Sequence, residues 1–178
     1  MHLNEITSYF LDRQQKLYRF ALRLLGSDAE AEDVVQEVFE KVWRKRQQLG
    51  HIQNLEAWCM RVVKNISLDK LKAAQHQPHA EVADLPLPSA APTPDETTAQ
   101  QDMMEQLNRF IEQLPVKQRM VLQLRDIEGY SYQEIADIME VSMNQVKVSL
   151  FRARKALKEA LTRQQAFGVN LTSTSGSS

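Results

Sequence analysis

SYQEIADIMEVSMNQVKVSLFRARKALKEAL, residues 131–161, is the stretch whose reading decides the fold. Ser131-Tyr132-Gln133-Glu134 is a capping box: the serine oxygen accepts an amide of the first turn while the glutamate reaches back. A short helix therefore starts at Tyr132, with Ile135, Ala136, Ile138 and Met139 on its apolar side. About three residues of turn follow, and Ser142-Met143-Asn144-Gln145 opens a second helix, giving helix-turn-helix spacing. At about 100° per residue, Val146, Leu150, Ala153, Leu157 and Leu161 share one narrow, core-facing sector. Lys147, Val148, Phe151, Arg152, Lys155 and Lys158 share the opposite one. From Val141 to Arg163 there are six Lys or Arg and one acid, Glu159. A basic helix alone is equally well explained as a solvated charged face. Behind a capped helix and tight turn, it fits the width of a B-form major groove, where its cations meet phosphates and guanine edges.

The chain has 178 residues, enough for one large core or two small ones, and a net charge of −1. It is not a globally basic coat for nucleic acid, so DNA contact must come from local segregation of charge. The single cysteine, Cys59, excludes an internal disulfide framework and suits a reducing cytoplasm. No apolar run approaches a membrane span and the N-terminus lacks a signal-peptide core, so cytoplasmic residence without membrane insertion is expected.

Toward the N-terminus, Ile6, Phe10, Leu17, Ala21 and Leu24 recur at helical spacing from Asn4 to Leu25, and Gly26 ends that helix in a left-handed conformation. Ser27-Asp28-Ala29-Glu30 caps the next, expected to run to about Leu49 with Ala31, Val34, Val35, Val38 and Val42 buried. Residues 27–40 hold six acids and no Lys or Arg, while Lys41, Arg44, Lys45 and Arg46 crowd the other end. The helix dipole accounts for the outermost charges. It leaves Asp33, Gln36 and Glu37 in mid-helix as a polar cluster suited to a protein partner. After a loop at His51–Asn54, Asn54 caps a third helix through Trp58, Val62, Val63, Ile66 and Leu71. Its polar side carries Arg61, Lys64, Asn65, Asp69, Lys70 and Lys72; Trp58 reads first as a core anchor.

Five of the six prolines lie between Gln75 and Gln101, and no Lys or Arg occurs from Ala73 to Asn108. Such a segment buries too little surface to fold alone. The six acids between Ala73 and Asn108 read either as part of a solvated spacer or as a nucleic-acid mimic. A second helical set follows: Met103, Leu107, Phe110, Ile111 and Leu114 mark one helix, Pro115 opens the next, and Gly129 ends that one before the helix-turn-helix. The tail beyond Arg163 is small and polar and is expected to be disordered. The fold class is all-α: a domain at 1–75, a flexible acidic linker at 76–100, a four-helix domain at 101–163 and a tail at 164–178.

AEAEDVVQEVFEKVW (29–43), LEAWCMRVVKNISLDKLK (55–72), the proline-rich spacer and residues 114–161, in this order, resemble the bacterial sigma-70 family. The match is narrower still to extracytoplasmic-function (ECF) sigma factors, which keep regions 2 and 4 only. The resemblance implies that Asp33, Gln36 and Glu37 dock on the clamp helices of the largest subunit of core RNA polymerase. It implies that the loop from Leu49 to Asn54 and the helix from Leu55 to Lys72, with Asn65 and Asp69 at recurring positions, capture a flipped minus-ten base and the separated non-template strand of promoter DNA. Arg61, Lys64 and Lys70 are the cations available to offset the cost of extruding a base there. Lys147, Val148, Phe151, Arg152 and Lys155 would read the minus-35 element. Contact with the polymerase flap and control by an anti-sigma factor are implied too, and the linker's acidity then favours the mimic. Departures are Asn144-Gln145 where the family often has Gly-Thr, Val148-Ser149 where it often has Ser-Arg, and Glu140 where glycine is common in the turn.

A conventional helix-turn-helix regulator, binding duplex DNA alone, would explain 114–161 and leave the first 75 residues idle. An enzyme is the weakest reading. His2, His51, His76 and His79 lie in tail, loop and linker, with no metal-ligand spacing, no phosphate-cradling loop and no cysteine–histidine pairing. No cofactor, metal or catalytic residue is expected.

Overall fold

A computed structural model describes the backbone at residues 3–76 and 99–172 and the side chains at 8–49, 51–75 and 101–163. Most of the expected linker, and residues 173–178, lie outside the described residues. What is described is helical, without a strand: α1 (Leu3–Leu25), α2 (Asp28–Arg44), a 3₁₀ turn (Leu49–His51), α3 (Leu55–His76), α4 (Ala99–Gln113), α5 (Val116–Leu122), a π-helical turn (Gln123–Ile127), α6 (Tyr132–Met139) and α7 (Met143–Thr172).

The helix ends are set by their own chemistry. The Ser27 hydroxyl accepts from the Glu30 amide and Asn54 Oδ1 accepts from the Ala57 amide at 2.9 Å, each satisfying a donor the helix cannot. Gly26 and Gly129 take φ of 67° and 80°, the left-handed region that stops a helix at little cost without a Cβ.

α1, α2 and α3 pack on one another around Phe10, Leu17, Phe20, Val34, Val38, Met60 and Val63. Phe10, Phe39 and Trp43 pack in sequence with their rings tilted, centroids 5.0 Å and 6.2 Å apart. α2 stops at Arg44, short of the expected Leu49. The Lys45 and Arg46 amides turn back to the Lys41 and Trp43 carbonyls, and the 3₁₀ turn places Leu49 in the core. Trp58 is half-buried against that core, as a packing residue would be. Cys59 is buried beside it, and burial pushes its thiol up to about 12.

α4, α5, α6 and α7 form the second set, with α7 touching the other three. Ile111 of α4 and Leu114 just after it face inward as expected, whereas Met103 lies 56% exposed. α7 continues as helix to Thr172, past the Arg163 at which the sequence suggests a disordered tail; no proline interrupts that extension, and propagating an existing helix is cheap.

The two sets also pack on each other, α3 against α6 and α1 against α5. Arg119 fastens the second joint by donating to the Arg23 and Leu114 carbonyls at 3.4 Å and 3.2 Å, at the ends of α1 and α4. Such a positive group at two helix C-termini complements both dipoles.

Candidate nucleic-acid interface

The helix-turn-helix is built as its sequence dictates. Ser131 and Glu134 exchange hydrogen bonds with each other's backbone amides at 3.2 Å and 2.8 Å, and Ser142 and Gln145 repeat the exchange at 3.3 Å and 3.1 Å. Between them Glu140 occupies the left-handed region, φ 57° and ψ 46°, and the Val141 amide closes the turn on the Ala136 carbonyl.

Burial fixes how α7 is rolled. Val146, Leu150 and Ala153 are sealed in the core, which turns Lys147, Val148, Phe151, Arg152 and Lys155 outward. Phe151 is 68% and Val148 48% exposed. Exposed apolar groups between cations suit a thymine methyl flanked by phosphates. Lys147 lies 5.9 Å from the Tyr132 ring centroid, and Lys155 is 3.9 Å from Glu159, an exposed pair too weak to hold it from a stronger anion. The sequence does not single out Arg154. Its guanidinium grips Asp126 with Nε 3.0 Å from Oδ2, so the π turn holds α7 from the side.

The first three helices present a different picture. Asp33 and Gln36 are exposed on α2, while Glu37 is half-buried and lies 3.7 Å from Lys70 of α3. Thus one expected polymerase contact leans on one expected DNA contact. Asn65 and Asp69 are exposed. Arg61 is half-buried, and its Nε has no hydrogen-bond partner among the described residues. Lys64, expected on an open polar side, is only 5% exposed and gives its Nζ to Glu140 at 2.7 Å. The five minus-ten candidates are therefore no continuous open strip here, because α6 and its turn lie over the middle of α3. The carboxyl of Glu140 is held below its ordinary value by the Lys64 hydrogen bond, the Lys64 charge and, more weakly, Arg61.

Sequence reasoning also missed Glu56. Arg13 Nε, Lys16 Nζ and Tyr130 Oη converge on its carboxylate at 3.1, 2.9 and 2.6 Å. Burial pushes this carboxyl up, but the hydrogen bonds from Tyr130, Lys16 and Arg13 outweigh it and leave it below the usual range. Burial and the Glu56 bond together raise the Tyr130 phenol. Arg19 and Glu128 add a bidentate pair at 2.9 and 2.7 Å. These partners are separated by 40 to 109 positions, so no local pattern announces them. No cluster of potential metal ligands occurs among the described residues, and no helix there is long and apolar enough to cross a membrane.

Two sequence profiles match this arrangement: Sigma-70 region 2 over residues 10–77, and Sigma-70, region 4 over residues 104–157. The RNA polymerase sigma-H factor of Pseudomonas aeruginosa is 31% identical over 170 residues, covering 85% of this chain and 83% of that protein. The chain belongs to the sigma-70 family. Within it the ECF branch is indicated by the ECF RNA polymerase sigma factor SigL of Mycobacterium tuberculosis, 32% identical over 146 residues, covering 82% of each protein. The ECF factor SigE of Mycolicibacterium smegmatis is 30% identical, and the chain spans 59% of that longer relative. Among solved structures, the sigma factor RpoE in complex with the anti-sigma factor NepR from Bartonella quintana superposes with a TM-score of 0.70. It is 23% identical and covers 90% of this chain and 98% of its own, a likeness of fold. In this ECF sigma factor, then, α1–α3 carry region 2, and α4 with the helices up to the first half of α7 carry region 4.

Proposed function

We propose that this sigma factor joins core RNA polymerase in the bacterial cytoplasm and chooses the promoter, with no chemistry of its own. Asp33, Gln36 and Glu37 dock on the clamp helices of the largest subunit. α3 takes the separated minus-ten strand through Arg61, Lys64, Asn65, Asp69 and Lys70. α7 enters the minus-35 major groove with Lys147, Val148, Phe151, Arg152 and Lys155, while region 4 rests on the polymerase flap. The observation that carries this reading is the roll of α7: its buried stripe leaves two apolar side chains flanked by cations facing solvent on one side. An anti-sigma factor is a further expected partner, supported by the RpoE relative solved with NepR. The test is transcription by purified core polymerase plus this protein on genomic fragments. A small set of specific start sites is expected; no specific transcript from any fragment would refute the assignment.

A further inference from the structure

The turn of the helix-turn-helix carries a residue its backbone does not favour. A left-handed conformation is disfavoured for any side chain with a Cβ, and glycine or asparagine normally occupies it. Glu140 sits there, at φ 57°. Its carboxylate reaches out of region 4 to Lys64, a lysine almost wholly buried beneath it. Lysines are rarely buried unless paired, so Lys64 depends on that carboxylate for its place. Arg61, one helical turn earlier on α3, adds its positive field to the same carboxylate, and its own Nε has no hydrogen-bond partner among the described residues. An anionic oxygen group is thus held near two of the cations assigned to the minus-ten strand, where a backbone phosphate would be held.

A second joint lies toward the N-terminus of α3. Glu56 accepts from Tyr130, which precedes α6, and Asn54 Nδ2 reaches Glu134 at 3.5 Å. α3 is therefore pinned to region 4 at Asn54, Glu56 and Lys64, over more than two helical turns.

We propose that Glu140 is a built-in mimic of a DNA phosphate that latches region 4 over α3, so that closure of the free protein and capture of single-stranded DNA compete for Lys64. This rests on the reading of α3 as the minus-ten helix. A strand phosphate at Lys64 requires Glu140 to withdraw, and Glu140 withdraws only with the turn that carries it. Whatever draws the two regions apart, core polymerase above all, unmasks the strand-binding side of α3 in the same movement.

The test uses the full chain with spin labels at cysteines placed on exposed Gln47 and Lys158, in a Cys59→Ala background, read by electron–electron distance measurement. Wild type should give one short, narrow distribution, and Glu140→Gln a broad, longer one. Binding of a short fluorescent single-stranded DNA of random sequence should tighten on the order of fivefold in Glu140→Gln, the low end of ordinary coupling between sites. The charge exchange Lys64→Glu with Glu140→Lys should restore the short distance without restoring strand binding. An unchanged distance and affinity in Glu140→Gln, or a charge exchange as open as the single variant, would overturn the latch. Both readouts are made on the free chain, so a failed transcription assay would strike the polymerase reading while a failed distance assay would strike the latch.

Discussion

Leu150 and Phe151 are neighbours on α7 with opposite surroundings, and truncating each to alanine should separate folding from recognition. Leu150 is 2% exposed. Removing its isobutyl group forfeits the transfer energy and leaves a cavity, together about 2–5 kcal/mol. For a chain of this size each kcal/mol lowers the melting point by about 2–4 °C, so Leu150→Ala should melt roughly 4–20 °C earlier. Phe151, mostly in water, touches little; Phe151→Ala should stay within about 0.5 kcal/mol of wild-type stability. Its loss should instead appear on DNA. A side chain reading a base edge or a thymine methyl is worth about 1–3 kcal/mol at most, so holoenzyme affinity for minus-35 duplex should fall by about five- to a hundredfold. Circular-dichroism melts of the free protein and fluorescence anisotropy with a promoter duplex measure the two quantities on the same preparations. If Phe151→Ala destabilised the protein as much as Leu150→Ala, or Leu150→Ala were silent, the assigned roll of α7 would be wrong and the DNA-facing residues with it.

Arg152→Ala should weaken use of the upstream element while leaving core polymerase binding intact, and Glu37→Lys should do the reverse; equal loss of both in each variant, measured by holoenzyme assembly and duplex binding, would deny two separable surfaces. Glu56, whose folded pKa lies below the 4.5 of a free glutamate, contributes stability that is present above that value and lost as pH falls through and below it. Urea melts of wild type and Glu56→Gln should therefore converge on acidification from neutral pH, and a constant gap between them would refute the role given to that carboxylate. Glu140→Gly should ease the left-handed turn by about 1 kcal/mol, but it strips the buried Lys64 of its partner, which costs more, so amide exchange in α6 should quicken; slower exchange there would show that the backbone strain outweighs the ion pair.

Local chemistry was the legible part of this sequence. The caps at Ser27, Asn54, Ser131 and Ser142, the left-handed glycines 26 and 129, and the sector of α7 that faces inward all follow from residues within a turn or two of one another. What escaped depends on partners remote in the chain. The end of α2 is decided by where Leu49 finds a core to enter, not by the next helix breaker. The π turn at Gln123–Ile127 has no compositional mark; Gln123 is buried there with its amide held by Arg23 and Glu128. The candidate site divided along the same line. Region 4's face was readable because its own buried stripe fixes it, whereas the state of Lys64 depends on a glutamate 76 residues away.

The buried thiol of Cys59 bears on how signals reach this factor. The thiolate is the form that reacts with peroxide or disulfides, and at a pKa of about 12 almost none exists near neutrality. An oxidant entering the cell finds no ready thiolate on this chain, whose only cysteine this is. If the genes it serves answer to oxidative stress, sensing through a thiolate belongs to another molecule.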